Sequence, residues 1–112
     1  MKPDNQYVLI KFFEAENRRD WDSYGAFLSD TVVWELHSGC QVKTMRGKES
    51  YIAYMQSVYQ QNNNTFICEA MYVSGGGNRI AAILKNSRGE RSCDIFNFFD
   101  GLICREYEFT LE

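Results

Sequence analysis

The sequence holds a single histidine and no Cys-x-x-Cys pair among its four cysteines, Cys40, Cys68, Cys93 and Cys104. A structural zinc site needs a Cys/His cluster, so neither a metal nor a cofactor is expected. No apolar run approaches the roughly 18 residues of a membrane span, and Met1 to Asn5 carries one Lys and no apolar core of a leader. The expectation is a cytoplasmic chain with no membrane partner, its cysteines reduced and buried as small hydrophobes. A basic stripe is missing too: 12 Lys and Arg are scattered among 15 Asp and Glu, for a net charge of -3. That excludes the electrostatic footprint of a nucleic-acid binder and leaves small molecules or proteins as partners. The glycine run at Gly75 to Gly77 has no Lys-Ser/Thr behind it and no helix after it, so it reads as a hairpin turn and not a phosphate loop. The Asn63-Asn64-Thr65 sequon would matter only in a secreted protein. Apart from Asn62 to Asn64 there is no low-complexity segment, and no internal repeat.

What is present is a rich supply of core residues. Apolar residues make up 45% of the chain, with eight Phe, seven Tyr and two Trp in 112 residues. One domain, 1–112, can bury about two-thirds of its unfolded surface around a single core.

Pro3 and Asp4 suit a helix amino terminus. Val8, Leu9, Phe12 and Phe13 then form the apolar stripe of a helix to about Asn17, with Lys11, Glu14 and Glu16 on its polar face. Asp20 can cap a second helix in which Trp21, Tyr24, Phe27 and Leu28 share a face, and Gly25 lets a neighbour approach closely. Thr31 to His37 is β-branched and aromatic, a strand whose faces are Val32, Trp34, Leu36 and Val33, Glu35, His37. A turn at Ser38-Gly39 leads to a short strand, Gln41 to Met45. Gly47 opens a third helix with Tyr51, Ile52, Met55, Val58 and Tyr59 as its stripe.

Turn signals at Gly75 to Asn78, Arg88-Gly89 and Asp100-Gly101 cut the remainder into four strands: Thr65 to Ser74, Arg79 to Asn86, Arg91 to Phe99 and Leu102 to Leu111. Short consecutive turns imply an antiparallel meander. Asp-Gly favours a two-residue hairpin because both central positions need positive φ. On Arg91 to Phe99 the set Asp94, Phe96, Phe98 alternates with Ile95, Asn97, Phe99, so rings lie on both faces and the strand is central. Helices first and strands last give an α+β class, three helices packed on a curved, mostly antiparallel sheet of about six strands.

This order and four strings resemble the nuclear transport factor 2-like superfamily, in the branch of SnoaL-like polyketide cyclases and ketosteroid isomerases. The strings are Arg19 to Asp22, Ser29 to Glu35, Arg46 to Ile52 and Asp94 to Ile103. The resemblance implies a cystatin-like cone: a strongly bent sheet around the first helix, with an apolar pocket between helices and sheet. It also implies a homodimer through the outer sheet face, which would cover Ile95 and Phe99. In isomerases of this type a carboxylate on the first strand moves a proton beside a carbonyl, while a helix tyrosine and a protonated acid on a late strand hold the oxyanion. Asp94 matches the late-strand acid by motif, and among Phe96 and Phe98 its pKa would be raised.

The first-strand base is open. Glu35 is the nearest carboxylate, yet alignment on Trp34 puts Leu36 at the base position, and a one-residue slip exchanges the faces. Phe12 stands where the helix tyrosine would lie, with Tyr7, Tyr24 or Tyr54 as substitutes. Epoxide hydrolases of similar fold carry an Arg-x-Asp pair on a middle strand, and Arg79 to Leu84 has none. Glu106 and Glu108 share one face of the last strand. The candidate catalytic residues are therefore Asp94, Glu35 and His37, and the candidate pocket residues Phe12, Trp34, Tyr54, Phe96, Phe98 and Glu108. Two functions fit: an acid–base enzyme of isomerase, cyclase or lyase type acting on a small apolar molecule, or a non-catalytic ligand-binding or dimerisation module.

Overall fold

A computed structural model describes residues 4–111, so Pro3 lies outside the described residues. The chain runs α1 (Asn5–Arg18), α2 (Trp21–Ala26), β1 (Leu28–Ser38), β2 (Gln41–Arg46), α3 (Lys48–Val58), β3 (Phe66–Ser74), β4 (Arg79–Asn86), β5 (Arg91–Phe99) and β6 (Leu102–Leu111). All six strands form one sheet in the order β2-β1-β6-β5-β4-β3. Every neighbouring pair is antiparallel except β1 and β6. A parallel pair needs a long crossover, and here everything between β1 and β6 supplies it. The fold is α+β, with three helices against a curled sheet. Among the described residues no helix is long and apolar enough to cross a membrane.

Local chemistry accounts for the element ends. Asp4 caps α1 by accepting from the Tyr7 N–H at 2.8 Å, and Asp20 caps α2 by accepting from the Ser23 N–H at 3.2 Å. Phe27 closes α2, and Leu28 already belongs to β1, so the second helix is shorter than its apolar spacing implies. At the last hairpin Asp100 and Gly101 have φ of 53° and 79°, as the two-residue turn requires. A methyl group on Gly25 would stand 2.9 Å from Ile52 Cδ1, so the glycine lets α2 approach α3 without moving the Ile52 side chain. Three shifts of register bend the sheet: between Leu28 and Val33, Cys68 and Ala70, and Asn97 and Phe98.

The concave face carries the core. Leu9, Phe12 and Phe13 of α1 pack down on Ile80 and Ala82 of β4, Phe96 and Phe98 of β5 and Ile103 of β6. Phe12 lies edge-on to Phe96 and stacks on Tyr24, while Phe13 meets Phe66 and Phe96. Asn17 fastens the end of α1 to β3, donating to Phe66 O at 2.9 Å and accepting from Phe66 N at 3.0 Å. The four thiols are free, but Cys40 and Cys68 are exposed and Cys93 and Cys104 half-buried. The expected thiol burial fails because Cys40 lies in the β1–β2 turn, Cys68 is on the edge strand β3, and Cys93 and Cys104 lie off the buried positions of β5 and β6.

Glu16 also departs from expectation. It continues the buried stripe of α1 instead of joining Lys11 and Glu14 on the polar face. Tyr24 Oη donates to its Oε1 at 3.2 Å, and Tyr59 Oη donates to its Oε2. Burial raises its carboxyl from 4.5 to about 6 against these two bonds, both of which favour the ionised form. A raised folded-state pKa means that folding takes up a proton, so this contribution to stability is present below pH 4.5 and is lost as pH rises through about 6. Glu16→Gln should remove about 2 kcal/mol from the fall in stability between pH 4.5 and 7. Urea unfolding of both proteins across that range checks it, and parallel pH profiles would refute the assignment.

Candidate functional site

Because the sheet curls and the helices cross only part of it, a cavity of about 580 Å³ remains between them. Its floor is the inner face of β5, β6 and β1: Asp94 and Phe96, Glu106 and Glu108, Trp34 and Leu36. The walls are Phe12, Phe13 and Glu16 of α1, Tyr24 of α2, and Tyr51, Tyr54 and Met55 of α3. Exposed residues at the open end, Gly89, Glu90 and Arg91, belong to the β4–β5 hairpin.

Strand alternation brings three acids together. Asp94 faces Glu108 across the β5–β6 ladder, and Glu106 lies two residues from Glu108 on the same face. Carboxylate oxygens of all three lie within 4.8 Å of one another. Asp94 and Glu106 are each only 3% exposed. Ser92 Oγ donates to Asp94 Oδ1 at 2.6 Å, and Tyr51 Oη donates to Glu106 Oε1 in a short hydrogen bond. The Tyr51 and Tyr24 hydroxyls are 3.4 Å apart, so a line of polar groups runs from Glu106 through the two tyrosines to Glu16.

Three like charges so close and so dry cannot all ionise near neutrality. Burial pushes the Asp94 carboxyl well above the usual range, and the neighbouring Glu106 pushes it further. Glu106 is raised by burial and by the charge of Glu108, against the opposing bond from Tyr51. Glu108 is raised by burial, then by Asp94. Tyr24 and Tyr51 are held above their ordinary value, first by burial and then by the carboxyl charges beside them. The cluster titrates as a unit, with at least one proton shared among its oxygens. Three oxygens at this spacing could also hold a divalent cation.

Of the residues expected in a site, Asp94, Phe12, Trp34, Tyr54, Phe96 and Glu108 line the cavity. Phe98 does not: past the register shift at Asn97 it pairs with Ile103 in the closed core. Glu35 and His37 stand on the opposite face of β1 and do not meet Asp94. Glu35 accepts from Arg105 Nη2 at 2.6 Å, His37 Nε2 lies 3.3 Å from Glu35, and the imidazole stacks on Phe109. The face is settled by Trp34, whose ring packs on Tyr51 and Tyr54 of α3 at 4.8 and 5.4 Å. The bond from Arg105 keeps the Glu35 carboxyl below its ordinary value, the reverse of the cavity acids.

Glu16, Tyr51 and Tyr59 were not among the candidates. Glu16 had a signal, since Leu9, Phe12, Phe13 and Glu16 follow the i, i+3, i+4, i+7 rule of one helix face. Glu106 had one in its two-residue spacing from Glu108. Trp34 Nε1 is buried without a hydrogen-bond partner among the described residues.

No curated protein matches the chain in sequence. Many solved structures share its fold. A SnoaL-like protein of unknown function from Burkholderia thailandensis has a TM-score of 0.83 at 18% identity, covering 96% of this chain and 94% of that one. A protein of unknown function with a cystatin-like fold from Methylobium petroleophilum has a TM-score of 0.83 at 14% identity, covering 98% and 80%. A candidate ketosteroid isomerase from Kribbella flavida has a TM-score of 0.78 at 20% identity, covering 96% and 78%. At these identities the likeness is one of fold. The SnoaL-like domain matches residues 9–106, most of the chain including Glu16, Asp94 and Glu106, so the chain belongs to the SnoaL-like domain family.

Proposed function

We propose that the cavity binds a small, largely apolar molecule and moves a proton on it, as an isomerase, cyclase or lyase does. The observation that carries this reading is the group of Asp94, Glu106 and Glu108 at the bottom of an aromatic hollow. Burial and mutual repulsion keep one carboxyl protonated beside another that is ionised, so an acid and a base stand within reach of the same ligand atom. Asp94, the more deeply buried, is the acid; Glu108, half-buried and nearer the open end, is the base. Tyr51 positions Glu106 through its hydrogen bond. The apolar walls strengthen each such bond by excluding water. The name of the Kribbella flavida neighbour is consistent with this chemistry.

One observation favours the second reading, a binding module without turnover. Phe12 on α1 brings no hydroxyl toward Asp94, so the oxyanion would lack a second donor from that helix. The two readings separate in deuterium oxide with 2-tetralone, a small enolisable ketone. Wild-type protein should accelerate α-proton exchange, and Asp94→Asn should lower that acceleration by about 10²-fold or more. Binding of the ketone without accelerated exchange would favour the module. Carbon-13 NMR of the carboxyls supplies the matching test: an Asp94 midpoint near about 3.9 would remove the shared-proton acid.

A second copy of the chain completes the reading as the occupant of the outer sheet face. Register aligns Tyr72, Ala81, Ile95 and Tyr107 in one row across β3 to β6, and Phe99, at the far end of β5, is 76% exposed. The Glu35–Arg105 pairs on the same face suit a self-complementary contact. Four free thiols fit a reducing compartment such as the cytoplasm. Light scattering should report a dimer for the wild type and a monomer for Ile95→Lys, and a monomeric wild type would overturn this part.

A further inference from the structure

The charges around the cavity are one-sided. Glu16, Glu90, Asp94, Glu106 and Glu108 line it, against a single guanidinium, that of Arg91. Arg91 is already engaged outside, with its Nε 2.7 Å from Glu69 Oε1 on β3. An anionic ligand would therefore add charge of the same sign to a site with no free lining cation among the described residues. A neutral ligand would leave the buried acids dependent on shared protons. A compact ammonium could take the place of such a proton and offset two carboxylates at once.

The walls suit the same guest. Trp34, Tyr51, Tyr54 and Phe96 present ring faces or edges to the cavity, and a desolvated cation over such faces is attracted by the ring quadrupoles. Lys43 Nζ already sits 4.9 Å from the Tyr54 ring centre on the β2 side. A volume near 580 Å³ is far larger than a metal ion needs and leaves room for an apolar body.

Trp34 adds an observation from the aromatic wall. It is 3% exposed, it lines the cavity, and its Nε1–H has no partner among the described residues. Leaving a buried donor unpaired is costly, so the occupied state should offer it an acceptor. Glu108 is the acid whose ionised form Trp34 favours, and an ammonium beside Glu108 would generate that ionised form.

We propose that the ligand of this cavity is an organic amine, bound as an ammonium by Asp94, Glu106 and Glu108 with its apolar body against the aromatic wall. This rests on the reading that the cavity is a small-molecule site and specifies the class it takes. Binding displaces shared protons from the cluster to solvent, so affinity rises with pH through the titration of the acids. The other groups facing them are Glu16 on α1, Tyr24 on α2, Tyr51 and Tyr54 on α3, Tyr59, and the thiols of Cys68 and Cys93 near Asp94. The hydroxyls of Tyr24, Tyr51 and Tyr59 and the two thiols, all raised by burial, are neutral at pH 7 and leave the direction unchanged.

Calorimetry at pH 7 with 2-phenylethylamine, 2-phenylethanol and phenylacetate tests the proposal on the intact protein. The amine should bind at least tenfold tighter than the alcohol, phenylacetate weakest of all, with heats in two buffers showing proton release. Glu108→Gln should narrow the gap between amine and alcohol at least tenfold. In the wild type, the Trp34 indole N–H resonance should move downfield on adding the amine, a readout that needs no variant. Alcohol binding equal to or tighter than the amine would overturn the amine assignment and leave the small-molecule reading standing. No binding by any of the three would overturn both. Greater stabilisation by manganese ion alone than by the amine would assign the three carboxylates to a metal and also overturn it.

Discussion

The structure depends on the confinement of acids with aromatic rings. Asp94, Glu106 and Glu16 are buried in a protein whose folding is driven by covering Phe, Tyr and Leu, and among the described residues the one cation lining the hollow, Arg91, lies at its open end and is paired with Glu69. Ionising such groups without a counter-charge is costly, and the molecule meets that cost with hydrogen bonds and shared protons. Ser92 holds Asp94, Tyr51 holds Glu106, and Tyr24 with Tyr59 holds Glu16. The polar line is therefore anchored by all three helical elements and by two strands of the sheet.

This arrangement ties the site to the fold. Tyr24 stacks on Phe12 while its hydroxyl serves Glu16, and Tyr51 packs on Trp34 while its hydroxyl serves Glu106. The same rings that seal the core thus orient the carboxyls. A change in how α3 lies on β1 would shift both the packing and the proton positions. The two faces of the sheet also keep opposite chemistries. Inside, acids are raised by burial; outside, Glu35 is lowered by Arg105 and faces solvent-side partners. One strand alternation separates the two regimes.

Much of the fold is legible in local residues. Strands β4, β5 and β6 begin and end where the turn dipeptides say they should, because Gly89, Asp100 and Gly101 adopt positive φ that few other residues accept. The helix caps at Asp4 and Asp20 are equally local. Asp94 stands out because a lone carboxylate interrupts a ring-bearing face. Less visible were the groups whose role needs a partner far along the chain. Glu16 shares the spacing of the apolar stripe, yet its role is set only when Tyr24 and Tyr59 close over it, and the thiols look apolar until the strands and turn that carry them are placed.

The sequence by itself determined the α+β class, the run of hairpins, and the presence of an acid among phenyl rings on a central strand, since alternation and turn chemistry act over a few residues. Only the tertiary structure decided which face of β1 turns inward, that Glu35 and His37 leave the site while Glu106 and Glu16 join it, and that Phe98 belongs to the core. The reason is physical: a strand offers two equivalent faces, and the choice between them is made by long-range contacts, here the packing of Trp34 against Tyr51 and Tyr54 of α3.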